Sequence, residues 1–179
     1  MSRLTRGISY VMYHLIAKHL PKSNAKISFC SKFFRRFFAK GMGVRCGKNV
    51  NIQRGAIFSS DLIIGDKSSI GINSIISSQV TIGKNVMMGP ECYIYTVNHE
   101  FSNINLPIID QGYASPKPVV IEDDVWIGSR VTILGGVKVG AHSVIGAGSV
   151  VTKNIPEYSV VGGNPAQILY NRKNKKENQ

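Results

Sequence analysis

The stretch IGDKSSIGINSIISSQVTIGKNV, residues 64 to 86, places isoleucine at positions 64, 70, 76 and 82. A period of six matches neither the 3.6-residue turn of an α-helix nor the two-residue alternation of a simple strand. Worked backward, the beat holds through Phe58 and Ile52 to Cys46, and forward through Met88 to Ile94. It resumes at Ile121 and continues through Ile127, Ile133, Val139 and Ile145 to Val151. Four places after each lead stands a small or aliphatic residue: Val50, Ala56, Leu62, Ser68, Ser74, Val80, Val86 and Cys92, then Val125, Val131, Val137, Ser143, Ser149 and Ile155.

A repeat this regular is read before anything else, because it decides the architecture. Short strands joined by turns satisfy it, with the bulky leads stacked inside and Gly or Asn at corners where positive φ is tolerated. Three hexads make one coil of a triangular prism, so the fifteen hexads give five coils. At about 4.8 Å between stacked strands the prism stands roughly 25 Å tall. The fold class is an all-β solenoid, a hexapeptide-repeat parallel β-helix.

The interval from Ile94 to Ile121 is 27 residues, which is not a multiple of six. Residues 99 to 118, HEFSNINLPIIDQGYASPKP, therefore leave the prism as an excursion loop, and a loop of that length in a compact domain is usually functional. His99 stands where the chain departs.

The ends differ from the middle. Residues 3 to 20 and 28 to 40 read as helices, the second carrying Phe29, Phe33, Phe34, Phe37 and Phe38 among Lys32, Arg35, Arg36 and Lys40. Three segments follow: a basic helical segment at 1–45, the hexapeptide-repeat domain at 46–169, and a charged tail at 170–179. The net charge of +12 is uneven. Residues 1 to 45 hold ten Lys or Arg and no acid, residues 167 to 179 hold four basic residues against Glu177, and residues 46 to 166 hold eight basic and nine acidic residues. The body is nearly neutral and its aromatics are not interleaved with basic residues, which argues against nucleic-acid binding.

No run of 18 apolar residues is present, so no transmembrane helix is expected. The segment GISYVMYHLIA is interrupted as a leader by His14, Lys18 and His19. Three cysteines without metal-type spacing point to a reducing compartment, the cytoplasm. The basic first 40 residues admit two readings: peripheral contact with the inner membrane face, through attraction to anionic lipid, or simple packing on the end of the prism.

Among four histidines, His14 and His19 fall on the N-terminal helix and His142 falls at a solvent-facing corner. His99 differs by its place, at a strand end, flanked by Asn98 and Glu100, because functional residues concentrate on loops held by a rigid scaffold. Cys46 and Cys92 occupy core positions and are expected to be buried and inert. The run Glu122-Asp123-Asp124 is a polar turn at the loop's return. Trp126, the only tryptophan, precedes a lead residue and so points outward as a contact surface.

VIEDDVWIGSRVTILGGVKVGAHSVIGAGSVVTKNIPEYSVVGGNPAQIL resembles the C-terminal signature of the hexapeptide-repeat O-acetyltransferases, and NHEF resembles their active-site histidine segment. The likeness covers about residues 46 to 169. It is greatest to the sugar and capsular-polysaccharide acetyltransferases, a group that takes in maltose, galactoside and streptogramin acetyltransferases. The resemblance implies a left-handed β-helix, a homotrimer, and acetyl-CoA as co-substrate in the groove between neighbouring prisms, with no metal. It implies His99 as general base and Trp126 lining the pantetheine groove. Ser129 and Ala147 would bond the pantetheine arm, and Thr152 and Lys153 would meet the adenosine phosphate end. At the position where galactoside-type relatives place an acceptor-binding Asn, this chain has Ser69. Ser69 and Glu100 stand as candidate acceptor contacts, and the acceptor itself is left open.

The chemistry implied is direct attack of an acceptor hydroxyl on the thioester. Imidazole, which ordinarily titrates near about 6.5, suits the base. The acceptor is then a sugar or surface-polysaccharide precursor, with a streptogramin-like xenobiotic or a serine-type acceptor as alternatives. A γ-type carbonic anhydrase on the same fold needs three zinc-binding histidines, where only His99 is well placed. An ice-binding solenoid needs a flat repetitive face, whereas this chain has Trp126, Lys84, Arg130 and a long loop.

Overall fold

The computed structural model describes residues 2–174; five residues of the charged tail, 175–179, lie outside the described residues. The prism is present, and its faces are three parallel stacks. The first holds Arg45–Cys46, Ile63–Ile64, Val80–Ile82, Val119–Ile121 and Lys138–Val139. The second runs from Asn51–Ile52 and Ser69–Ile70 through Met87–Met88, Trp126–Ile127 and Val144–Ile145. The third holds Ile57–Phe58, Ile75–Ile76, Tyr93–Ile94, Thr132–Ile133 and Val150–Val151. This is a left-handed parallel β-helix of five full coils. A sixth turn is begun by Ser159–Gly163 on the second face, and Ala166–Asn171 folds back antiparallel on it to close the top.

Every lead from Ile52 to Val151 is buried, most at 2% exposure or less, and so are the residues four places on, save Asn98, where the chain has left the prism. Each fully buried isoleucine contributes about 1.5–3 kcal/mol by leaving water. Cys46 is half-buried, not fully enclosed, because it belongs to the lowest coil, whose outer side meets only the helices; burial nonetheless pushes its thiol up to about 11. The inward serines bond between coils. Ser68 donates to the Gly83 carbonyl at 2.7 Å and accepts the Val86 N–H at 3.0 Å, and Ser143 donates to the Pro156 carbonyl at 3.0 Å. They fill the interior without leaving an orphaned hydroxyl.

The corners divide two duties between glycine and other residues. Positive φ falls mainly on non-glycine residues, in vertical columns such as Asn49, Lys67, Asn85, Asp124 and His142. The glycine after a lead serves close approach instead. A Cβ on Gly71 would lie 1.7 Å from the Gly89 carbonyl oxygen of the next coil.

Helix α1 spans Arg3–Leu15, followed by a 3-10 turn at Ala17–His19, and α2 spans Ser31–Met42. The second helix begins later than its composition predicts, because Phe29 and Cys30 both take left-handed backbone conformations. The pair closes the open bottom of the prism. Tyr13, Ala17, Ala39 and Met42 join the same core as the first coil. Backbone groups of that coil, which have no strand below them, find helix partners: the Gly55 N–H bonds the Lys18 carbonyl at 2.8 Å, and the Tyr13 hydroxyl bonds the Ala56 carbonyl at 2.8 Å. Arg35 is fully buried, with no acid beside it. Its guanidinium donates to the carbonyls of Ile52 at 2.6 Å and of Leu20 and Pro21 at 3.1 Å, and to the hydroxyls of Ser23 and Ser31.

Candidate active site

The excursion is an ordered arm. Tyr95 is still bonded to the third face, through Ile133. Beyond it the outgoing and returning chains pair as a stem: Lys117 N–H to the Thr96 carbonyl at 2.7 Å, Ala114 to Asn98 at 3.0 Å, and Glu100 N–H to the Gly112 carbonyl at 3.0 Å. Between these rungs His99 bridges Tyr113 in antiparallel fashion. The tip is stitched by Gln111, whose amide donates to the carbonyls of Asn103 and Leu106 at 2.9 Å.

His99 is exposed, and its ring stacks on that of Tyr113 with centroids 4.5 Å apart. Neither imidazole nitrogen is hydrogen-bonded among the described residues, so the ring is oriented by its neighbour with both nitrogens free to meet a substrate or a second chain. Tyr113 carries no signal in the sequence pattern, because the arm has no period to read. Glu100 turns back on its own loop: its carboxylate accepts the N–H groups of Phe101 at 3.0 Å and Ser102 at 3.1 Å. Hydrogen bonds from Ser102, then Phe101, hold it below the usual carboxylate range. Thr96, at the root of the arm, buries a hydroxyl without a partner.

The other candidate residues fall on separate parts of the prism. Trp126 lies on the second face, 54% exposed, paired in register with Met87 below and Val144 above. Ser129 and Ala147 follow at the corner between the second and third faces, one coil above the other: the Gly148 N–H bonds the Ser129 carbonyl, and a Cβ on Gly128 would meet Ala147. Thr152 and Lys153 are exposed at the opposite corner, beyond the third face, one coil above Leu134 and Gly135. Gly135 packs against Thr96 at the root of the arm. Ser69 lies on the second face below Met87, half-buried. Its hydroxyl accepts the Met88 N–H at 3.3 Å and lies 3.5 Å from the Val86 carbonyl. So one chain brings His99, Thr152 and Lys153 to one edge, and Trp126, Ser69, Ser129 and Ala147 to another face and edge.

The acidic run is a structural turn, and each member has a partner. Glu122 pairs with Lys138 at 2.7 Å, Asp123 accepts the Lys84 N–H at 2.7 Å, and Asp124 bonds His142 at 2.8 Å. His142 also stacks on Tyr158 at 4.6 Å. No three His, Cys, Asp or Glu side chains converge as a metal site among the described residues.

A parallel β-helix of stacked hexads is the fold of the hexapeptide-repeat transferases. The family model described as bacterial transferase hexapeptide (six repeats) matches residues 118–153. The galactoside O-acetyltransferase of Escherichia coli is 34% identical over 139 residues, covering 75% of this chain and 67% of that protein. The chain belongs to the hexapeptide-repeat acetyltransferase family. A hexapeptide-repeat acetyltransferase from Vibrio cholerae superposes with a TM-score of 0.75 at 28% identity, covering 96% of this chain and 92% of its own. A galactoside acetyltransferase solved in complex with coenzyme A superposes with a TM-score of 0.60 at 25% identity, covering 95% and 80%. Against four further acetyltransferase relatives the chain spans only 37% to 57% of their length.

Proposed function

We propose that this protein transfers the acetyl group of acetyl-CoA to a hydroxyl of a saccharide acceptor, such as a surface-polysaccharide precursor, with His99 as general base. The reading rests on family membership, on the coenzyme A complex of the galactoside relative, and on the histidine-bearing arm. The observation that carries it is His99 itself: an exposed imidazole, held flat by Tyr113, at the one place where the scaffold is interrupted.

In the proposed step the acceptor hydroxyl gives its proton to His99 while its oxygen attacks the thioester carbonyl. The new C–O bond forms, the C–S bond breaks, and the proton passes to the departing CoA sulfur. Trp126, Ser129 and Ala147 line the pantetheine arm, Thr152 and Lys153 meet the phosphate end, and Ser69 and Glu100 border the acceptor.

The working unit is a homotrimer. The arm's tip exposes Phe101, Leu106, Ile108, Ile109 and Ile104, the last at 93%, and Trp126 stands exposed on another face. Apolar surface of that extent marks an interaction site. The separation of His99 from Trp126 and Ser69 within one chain is resolved if the arm of one prism closes the groove of the next.

The test is acetyl transfer from acetyl-CoA to a panel of mono- and oligosaccharides by the purified protein and by His99→Ala. Loss of a general base lowers kcat by about 10² to 10⁴. Acetyl-CoA binding and subunit number, followed by calorimetry and light scattering, stay as in the wild type. A variant that acetylates at the wild-type rate removes His99 from the chemistry, and a wild type of one-chain mass removes the trimer.

A further inference from the structure

We propose that the outer face of the α1–α2 pair is a docking surface for an anionic phospholipid bilayer.

The second helix turns part of its polar set inward and part of its apolar set outward. Its buried residues are Ser31, Arg35, Ala39, Gly41 and Met42, with Phe38 partly buried against the core, so a hydroxyl and a guanidinium go inward. Phe33 and Phe37 point outward, 63% and 57% exposed, with their rings stacked 5.9 Å apart. A helix that only capped the prism would gain by turning its phenylalanines inward, since each loses about 1.5–3 kcal/mol of burial where it stands. The first helix repeats the arrangement. It buries Ser9 and Tyr13, while Leu4, Ile8, Val11 and Leu15 form an exposed stripe at helical spacing.

The strip on α2 carries a basic rim, and the strip on α1 a single arginine. A groove of about 520 Å³ is lined by Phe33 and Phe37 together with Lys32, Arg36, Lys40 and Cys30. A second, of about 440 Å³, is lined by Leu4, Ile8, Val11 and Met12 with Arg3. The first acid in the chain is Asp61, and of the ten basic residues before position 46 only Arg35 is buried among the described residues. Apolar side chains at the level of the acyl chains, flanked by Lys and Arg at the level of the phosphates, are the chemistry of an interfacial helix. Charge also decides between occupants. A second copy presenting this same face would set cation against cation, whereas an anionic bilayer neutralises every one.

The experiment is cosedimentation of the full-length protein with phosphatidylcholine vesicles and with vesicles that also contain phosphatidylglycerol, at low and high salt. Wild type binds the anionic vesicles, barely binds the neutral ones, and is released by salt. The triple variant Lys32→Gln, Arg36→Gln, Lys40→Gln binds anionic vesicles about a hundredfold more weakly. The variant Phe33→Ser, Phe37→Ser binds at least about tenfold more weakly. Both keep the wild-type melting temperature and acetyl-CoA binding, which shows the fold intact. Equal binding to both lipids, or variants that bind as wild type does, overturns the proposal. So does a wild type that ignores anionic vesicles while the phenylalanine variant loses subunits by light scattering, which makes the face a contact between copies.

Discussion

His99 and Tyr113 meet face to face across the stem of the arm, ring centroids 4.5 Å apart and planes 29° from parallel, while their backbones form an antiparallel bridge. Tyr113 therefore acts on the imidazole as a positioning residue. Tyr113→Ala frees the ring to rotate and should lower kcat by about ten- to a hundredfold, since small misplacements of a reacting group cost that much. Tyr113→Phe preserves the stack and should restore most of the rate. Steady-state kinetics of the two variants separate ring orientation from general disruption of the arm, which would impair both.

Lys153 is exposed beside the root of the arm, where its ammonium can reach a phosphate as a point charge. Lys153→Ala should raise the KM for acetyl-CoA more than it lowers kcat, because the proposed contact is to a part of the substrate that does not react. An unchanged KM would take Lys153 out of the groove.

Arg35 satisfies carbonyls from two helix-segment residues and from the first coil, without a counter-ion. Arg35→Met strands those buried oxygens and should cost about 2 to 4 kcal/mol in urea unfolding. Lysine should not rescue it, since one ammonium cannot span the positions the planar fork reaches.

Gly71 and Gly148 should respond differently to alanine. At Gly71 the new methyl would overlap the Gly89 carbonyl, and separating the coils should cost more than about 4 kcal/mol or prevent folding. At Gly148 there is open space but φ is +72°, so the cost is that of a left-handed alanine, about 1 to 2 kcal/mol. Thermal melts of the two variants compare steric approach with backbone strain directly.

The sequence by itself determined the solenoid, its five coils, the break in them and the histidine at the break. Those features are legible because each hexad is stacked on an equivalent hexad, so the same packing demand is written again and again along the chain. The period marks Trp126 as an outward contact residue, whereas the candidate binding residues Ser129, Ala147, Thr152 and Lys153 come only from family resemblance, since nothing in the period marks them. Tertiary structure alone decided what does not repeat. Tyr113 is set against His99 by the pairing of the arm's two limbs. Arg35 is drawn inward because the carbonyl of Ile52 in the lowest coil, with those of Leu20 and Pro21, can be satisfied by a guanidinium and not by an apolar side chain. The dispersal of the candidate residues over separate edges of the prism has the same origin: most corners take four residues between two-residue strands, so neighbours in sequence come to face different directions in space.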